Sequence, residues 1–156
     1  MSEMNQREMR KTNIIIHNLL EPQVEGASSK DVLQEKEHEI LGDLFAQMEL
    51  DKEEIKENIK FCKRLGEKKD GKGRPLLVGF KNVNKRNKVM EAAISKRNLP
   101  SSLTSDLTKM QRDENDKLRK EVQNLNNEKP SDNSGDYRWN LVGPPEMLRK
   151  VKVRDI

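Results

Sequence analysis

Aromatic side chains are scarce in this chain: one Trp, one Tyr and three Phe among 156 residues. Hydrophobic residues make up only 32% and the mean hydropathy is −1.00, so the sequence supports a modest core with wide polar margins. Its single cysteine, Cys62, excludes an internal disulfide and points to a reducing compartment. The opening MSEMNQREMR lacks the apolar stretch of a secretory signal, and no apolar run is long enough to span a bilayer. The expectation is a soluble, intracellular protein with no membrane partner. His17 and His38 are far apart and neither has ligand spacing with Cys62, so no metal and no cofactor is expected. The pairs Glu53-Glu54 and Glu37/Glu39 read as exposed helix faces rather than catalytic carboxylates. Gly71 and Gly73 join two strands rather than a strand to a helix, so they form no dinucleotide fingerprint. Nothing in the pattern argues for an enzyme.

What the chain has is charge, at 37% of residues, and it is sorted. Residues 21–59 carry 4 Lys/Arg against 12 Asp/Glu, a net of −8, whereas residues 60–98 carry 13 against 3, a net of +10. A basic block of this kind is the electrostatic footprint of a phosphate-binding surface, or else a solvated face.

The apolar residues are clustered and periodic. Ile14, Ile15, Ile16 and Leu19 predict a strand that Glu21-Pro22 ends. After the loop QVEGAS, with Ser28 and Ser29 as N-caps, Val32, Leu33, Ile40, Leu41, Leu44, Phe45 and Met48 recur at helical spacing over 30–48. Asp51 starts a further helical turn. "NIKFCKRLG" predicts a second strand, with Ile59, Phe61 and Lys63 on one face and Lys60, Cys62 and Arg64 on the other. The Gly- and Lys-rich "EKKDGKGR" reads as a hairpin loop leading into the strand "PLLVGF". A second helix over 84–96 is expected to bury Val89, Ala92, Ala93 and Ile94. "LPSSL" is a poor strand. A third helix, 106–125, has a thin apolar face of Leu107, Met110, Leu118, Val122 and Leu125. "NNEKPSDNSGD" reads as a loop, and the end as two strands around a Gly-Pro-Pro turn.

Strand, helix, strand, strand, helix is the order of a ferredoxin-like α+β domain. Ile14-Ile15-Ile16-His17-Asn18-Leu19 matches the first-strand signature of RNA-recognition motifs except that Ile15 replaces the usual aromatic. "GRPLLVGF" aligns with the third-strand octamer, with Pro75 and Leu77 at its two stacking positions. Without that platform, binding would run through phosphates with low specificity. "NIIIHNLLEP", "FCKRLG", "GRPLLVGF", "VMEAAI", "SLTSDLTKMQR" and "YRWNLVG", in that order over about residues 12–142, resemble the RNA-binding proteins encoded by the first open reading frame of long-interspersed-element (non-LTR) retrotransposons.

The polar residues 1–11 read as a flexible segment, and the resemblance implies an RNA-recognition-motif-like domain (12–98) and a small α/β C-terminal domain (99–156). It implies a basic cleft between the two domains around single-stranded RNA or DNA, and nucleic-acid chaperone activity in a ribonucleoprotein, cytoplasmic or nuclear. It places Arg64, Arg74, Arg112 and Tyr137 at nucleic-acid-contacting positions. The family forms trimers through a coiled coil ahead of this region. Only a dozen polar residues precede the first strand here, so the expectation is a lineage without the coil, a degenerate copy or a fragment, with homo-oligomerisation open. Gly79 stands where the family often has a basic residue.

From the residues themselves, Lys63, Arg64, Lys68, Lys69, Lys72 and Arg74 lie on one strand-loop-strand element and suit a phosphate backbone, Arg bidentately. Lys81, Lys85, Arg86 and Lys88 extend the stripe, while Lys96 and Arg97 also suit the helix dipole. Tyr137 and Trp139 share a strand face, with Arg138 between them. Arg138 reads as a phosphate contact, the resemblance makes Tyr137 a contact, and Trp139 reads as the core of a small domain. The alternative function is a protein-interaction module using the acidic helix face of Glu35, Glu39 and Asp43.

Overall fold

The computed structural model describes residues 2–22, 30–67, 73–96, 98–128 and 137–154. The loop QVEGAS, the caps Ser28 and Ser29, and most of the hairpin tip lie outside them, as does most of the loop "NNEKPSDNSGD". The chain divides into two compact units, Glu8–Asp106 and a second formed by Met1–Arg7 with Leu107–Ile156.

After a first helix, α1 (Glu3–Arg10), the first unit runs β1 (Asn13–His17), α2 (Lys30–Gln47), α3 (Lys52–Glu57), β2 (Ile59–Arg64), β3 (Leu76–Phe80), α4 (Val83–Ser95) and β4 (Ser102–Ser105). Its strands form one antiparallel sheet in the order β2-β3-β1-β4. The unit is therefore mixed α+β. Alternation along β1 and β3 turns Ile14, Ile16, Leu76, Val78 and Phe80 to one face, where Leu41, Leu44, Phe45 and Met48 of the α2 region, Ile55 of α3 and Val89 of α4 close the core.

Only the C-terminal half of α2 serves that core, because Val32 and Leu33 are exposed. The helix stops in a Schellman turn: Leu50 N–H donates to Phe45 O and Glu49 N–H to Ala46 O, both at 3.0 Å. The left-handed position goes to Glu49, at φ 60°, rather than to glycine. In α4, Asn82 caps the first turn through Lys85 N–H, Val89 is buried, and Ile94 is exposed where burial was expected. Arg86 takes an interior position instead.

The expected alternation of β2 breaks once. Ile59 pairs with Phe80 but Phe61 pairs with Gly79, so Lys60 is an extra residue in a bulge. Beyond it Cys62 and Arg64 face the helices, and Phe61 and Lys63 face away. At the other edge, the weakly strand-like "SLTS" forms β4, laddered on β1 from Ile14↔Ser105 to His17↔Ser102. β4 lies within the compact unit Glu8–Asp106.

In the second unit, α5 (Lys109–Asn127) opens with a capping box: Gln111 N–H donates to the Thr108 hydroxyl and Thr108 N–H to the Gln111 side chain. Met110 is exposed, while Gln111 and Asn115 are buried and Leu118, Val122 and Leu125 half-buried. The buried amides are satisfied; Asn115 donates to Pro145 O at 2.9 Å. Asn126 brackets one residue of β5 (Tyr137–Val142), accepting from Trp139 N–H at 2.8 Å and donating to Trp139 O at 3.0 Å. β5 pairs with β6 (Arg149–Arg154) along its whole length, across a turn containing one 3-10 step at Pro145–Met147. Gly143, at φ 98°, permits that turn, and a Cβ there would lie 2.9 Å from Met147 O.

The N-terminal segment, expected to be loose, is helical from Glu3. Its charges find distant partners: Glu3 accepts from the Thr108 hydroxyl at 2.5 Å, and Arg7 reaches Glu114 at 3.2 Å.

Candidate nucleic-acid interface

Arg64 lies on the inner face of β2, with its side chain 6% exposed. Its five N–H groups are all engaged inside the protein. Nε and Nη2 donate to Glu37, Nη1 to Leu19 O and Arg74 O, and Nη2 also to Leu20 O, at 2.5–3.1 Å. Arg74 is clamped by Glu21 through Nε and Nη2, and Nη1 donates to Gly66 O. That clamp holds the Glu21 carboxyl below the usual carboxylate range, chiefly through the side-chain hydrogen bond. These two arginines tie the end of β1 to the roots of the β2–β3 connection.

Arg86 is also inside. It donates to Asn13 O and to the Ser105 hydroxyl, joining α4 to β1 and β4. Lys85 pairs with Glu54, which Lys88 also approaches at 3.6 Å, and Lys96 pairs with Glu49 at 2.9 Å. Much of the basic block is thus neutralised by the acidic block that precedes it. Lys68, Lys69 and Lys72 lie outside the described residues.

The cations of the block that face solvent without an ion pair, among the described residues, are Lys60, Lys63 and Lys81. Lys63 projects from the sheet face opposite the helices. Across the strands its row continues with Leu77, Ile15 and Thr104, and the next row is Phe61, Gly79 and Asn13. Phe61 is 40% exposed. Its ring occupies the space over Gly79, where a Cβ would meet Phe61 Cε1 at 2.3 Å. His17, on the same face, is within 3.1 Å of the Thr104 hydroxyl. The face carries Lys63 and no outward carboxylate from its own strands. Asp106, which accepts from Asn13 at 3.0 Å, is paired with Arg10.

In the second unit, pairing puts Tyr137, Trp139 and Leu141 on one side of the hairpin with Lys152 and Lys150. Lys152 Nζ sits 5.4 Å from the Tyr137 ring centroid and Lys150 Nζ 5.8 Å from that of Trp139. Trp139 is half-buried and Tyr137 exposed. Arg138 and Arg149 project from the other side, and neither β5 nor β6 contains a carboxylate. Arg112, on the exposed side of α5, donates to Leu107 O at 2.7 Å.

Sequence reasoning missed Phe61 as a surface aromatic and Lys60, Arg149, Lys150 and Lys152 as surface cations. A glycine inside the neighbouring strand was the available signal for Phe61, because a bare backbone there leaves room for a ring. Cys62 is half-buried, and desolvation first, then Glu37, pushes its thiol up, against the opposing effect of Arg64. No helix among the described residues is long and apolar enough to cross a membrane. Neither protein-family models nor curated proteins yield a match to the chain.

Proposed function

We propose that this chain binds single-stranded RNA or DNA with little sequence preference, as a retrotransposon-type ribonucleoprotein component with chaperone activity. Its first unit is then read as a ferredoxin-like, RNA-recognition-motif-like domain, a reading supported by the strand order β2-β3-β1-β4. The observation that carries the binding proposal is the β5–β6 pair: its strands hold Arg138, Arg149, Lys150 and Lys152 and no carboxylate, with lysines over two aromatic rings, while Glu146 lies in the turn and Lys150 also reaches Glu121 at 3.4 Å. A flexible polyanion with exposed bases can engage both the cations and the rings of this hairpin. Lys63 and Lys81 supply further phosphate contacts from the first unit. Arg64, Arg74 and Arg86 act by holding the scaffold.

The test is fluorescence anisotropy with a labelled single-stranded RNA and its duplex across a salt series. Single-strand binding that weakens steeply with salt is expected. Lys63→Ala with Lys81→Ala, and separately Lys152→Ala, should each flatten the slope by about 0.7 per lysine that meets a phosphate. No binding at low salt would overturn the proposal.

One observation favours a second reading, docking of a protein partner. The first turns of α2 expose Val32 and Leu33, and Asp31, Glu35, His38 and Glu39 line a shallow groove with Lys56. An apolar-acidic surface of this kind fits a basic amphipathic segment. A Glu35→Lys, Glu39→Lys variant that loses a partner but keeps RNA affinity would favour it.

A further inference from the structure

We infer that the outer face of the sheet holds one unpaired base of a bound RNA strand, stacked on Phe61. The inference rests on the single-strand-binding reading above and adds where a base is held. Sheet-face stacking normally needs aromatics on the central strands, and Ile15 and Leu77 stand there instead. The bulge at Lys60 brings an aromatic to the same face from the edge strand, because it resets the alternation of β2.

Gly79 completes the arrangement. With no Cβ beneath it the ring lies against the β3 backbone, and it remains 40% exposed. The ring therefore meets the sheet on one side and solvent on the other. Charge selects the occupant. Lys63 stands two residues along the same face, the exposed Lys60 adjoins the ring in the chain, and the strands offer no outward carboxylate to repel a phosphate. Half-buried Leu77 and Ile15 extend the apolar floor beside the ring. A base on Phe61 with its phosphate on Lys63 uses both the open ring and the unpaired ammonium, and Gly79 is where a larger side chain would lift the ring.

The test compares wild type with Phe61→Leu and Phe61→Tyr. Leucine keeps apolar cover over Gly79 without a π-face, and tyrosine keeps the face. The probes are a labelled decamer of oligouridine and an abasic strand of equal length, and thermal melts report folding. Phe61→Leu is expected to weaken oligouridine binding by about five- to a hundredfold, as removal of a stacking aromatic does. Abasic-strand affinity and salt slope should not change, and Phe61→Tyr should bind as wild type does. A folded Phe61→Leu protein with unchanged oligouridine affinity, or one losing both strands equally, overturns the stacking site while leaving single-strand binding intact. Failure of the wild type to bind either strand overturns both proposals.

Discussion

A guanidinium with every N–H engaged behaves as a keystone, and Arg64 is one. Removing it leaves the largely buried Glu37 carboxylate without its cation and the part-buried carbonyls of Leu19 and Arg74 without donors. Breaking a buried pair from one side costs about 3–5 kcal/mol. Arg64→Ala should therefore lower the unfolding free energy by about that amount in denaturant titration. Arg64→Lys should recover only part of it, since an ammonium has three donors and no planar fork. A loss of RNA binding in Arg64→Ala would then report unfolding and not a missing phosphate contact. The sequence could not announce this role. Arg64 sits among lysines in the chain, and its carboxylate partner lies 27 residues upstream.

At the scale of elements, legibility followed the apolar pattern. β1, β3 and the second half of α2 were readable because their side chains alternate or recur as burial demands. β4 was not, since an edge strand of four residues draws its identity from the β1 ladder rather than from hydrophobicity. The β2 bulge was invisible for another reason: one inserted residue changes no local propensity, only the phase of the residues beyond it. On α5, the expected Met110 stripe gave way to Gln111 and Asn115, whose burial depends on partners in the capping turn and at Pro145. The end of α2 offers a direct test. Glu49 holds a left-handed conformation that costs a non-glycine residue about 1 kcal/mol, and its link to Lys96 is an exposed ion pair worth little. Glu49→Gly should raise stability by about 0.5–1 kcal/mol, read as a higher melting temperature.

For the whole molecule, the decisive fact is that charges sorted along the sequence recombine in space. The acidic block supplies Glu21, Glu37, Glu49 and Glu54 to arginines and lysines of the basic block. Hydrogen bonding by Arg74 and by Lys85 lowers the Glu21 and Glu54 carboxyls below the ordinary value of 4.5. A lowered folded-state value means stability that is fully present above pH 4.5 and is lost as pH falls through the depressed values. Thermal melts should be level from pH 7 to about pH 5 and then fall. Glu21→Gln should start lower and fall less steeply.

This recombination also bears on how a strand arrives. Residues 21–98 together hold 17 Lys/Arg against 15 Asp/Glu, so beyond a screening length of about 10 Å the two blocks cancel. On the proposed nucleic-acid binding, a polyanion would be drawn to this stretch weakly from afar and held by short-range contacts. Encounter with the first unit should be governed by diffusion and orientation, with salt acting on how long the strand stays.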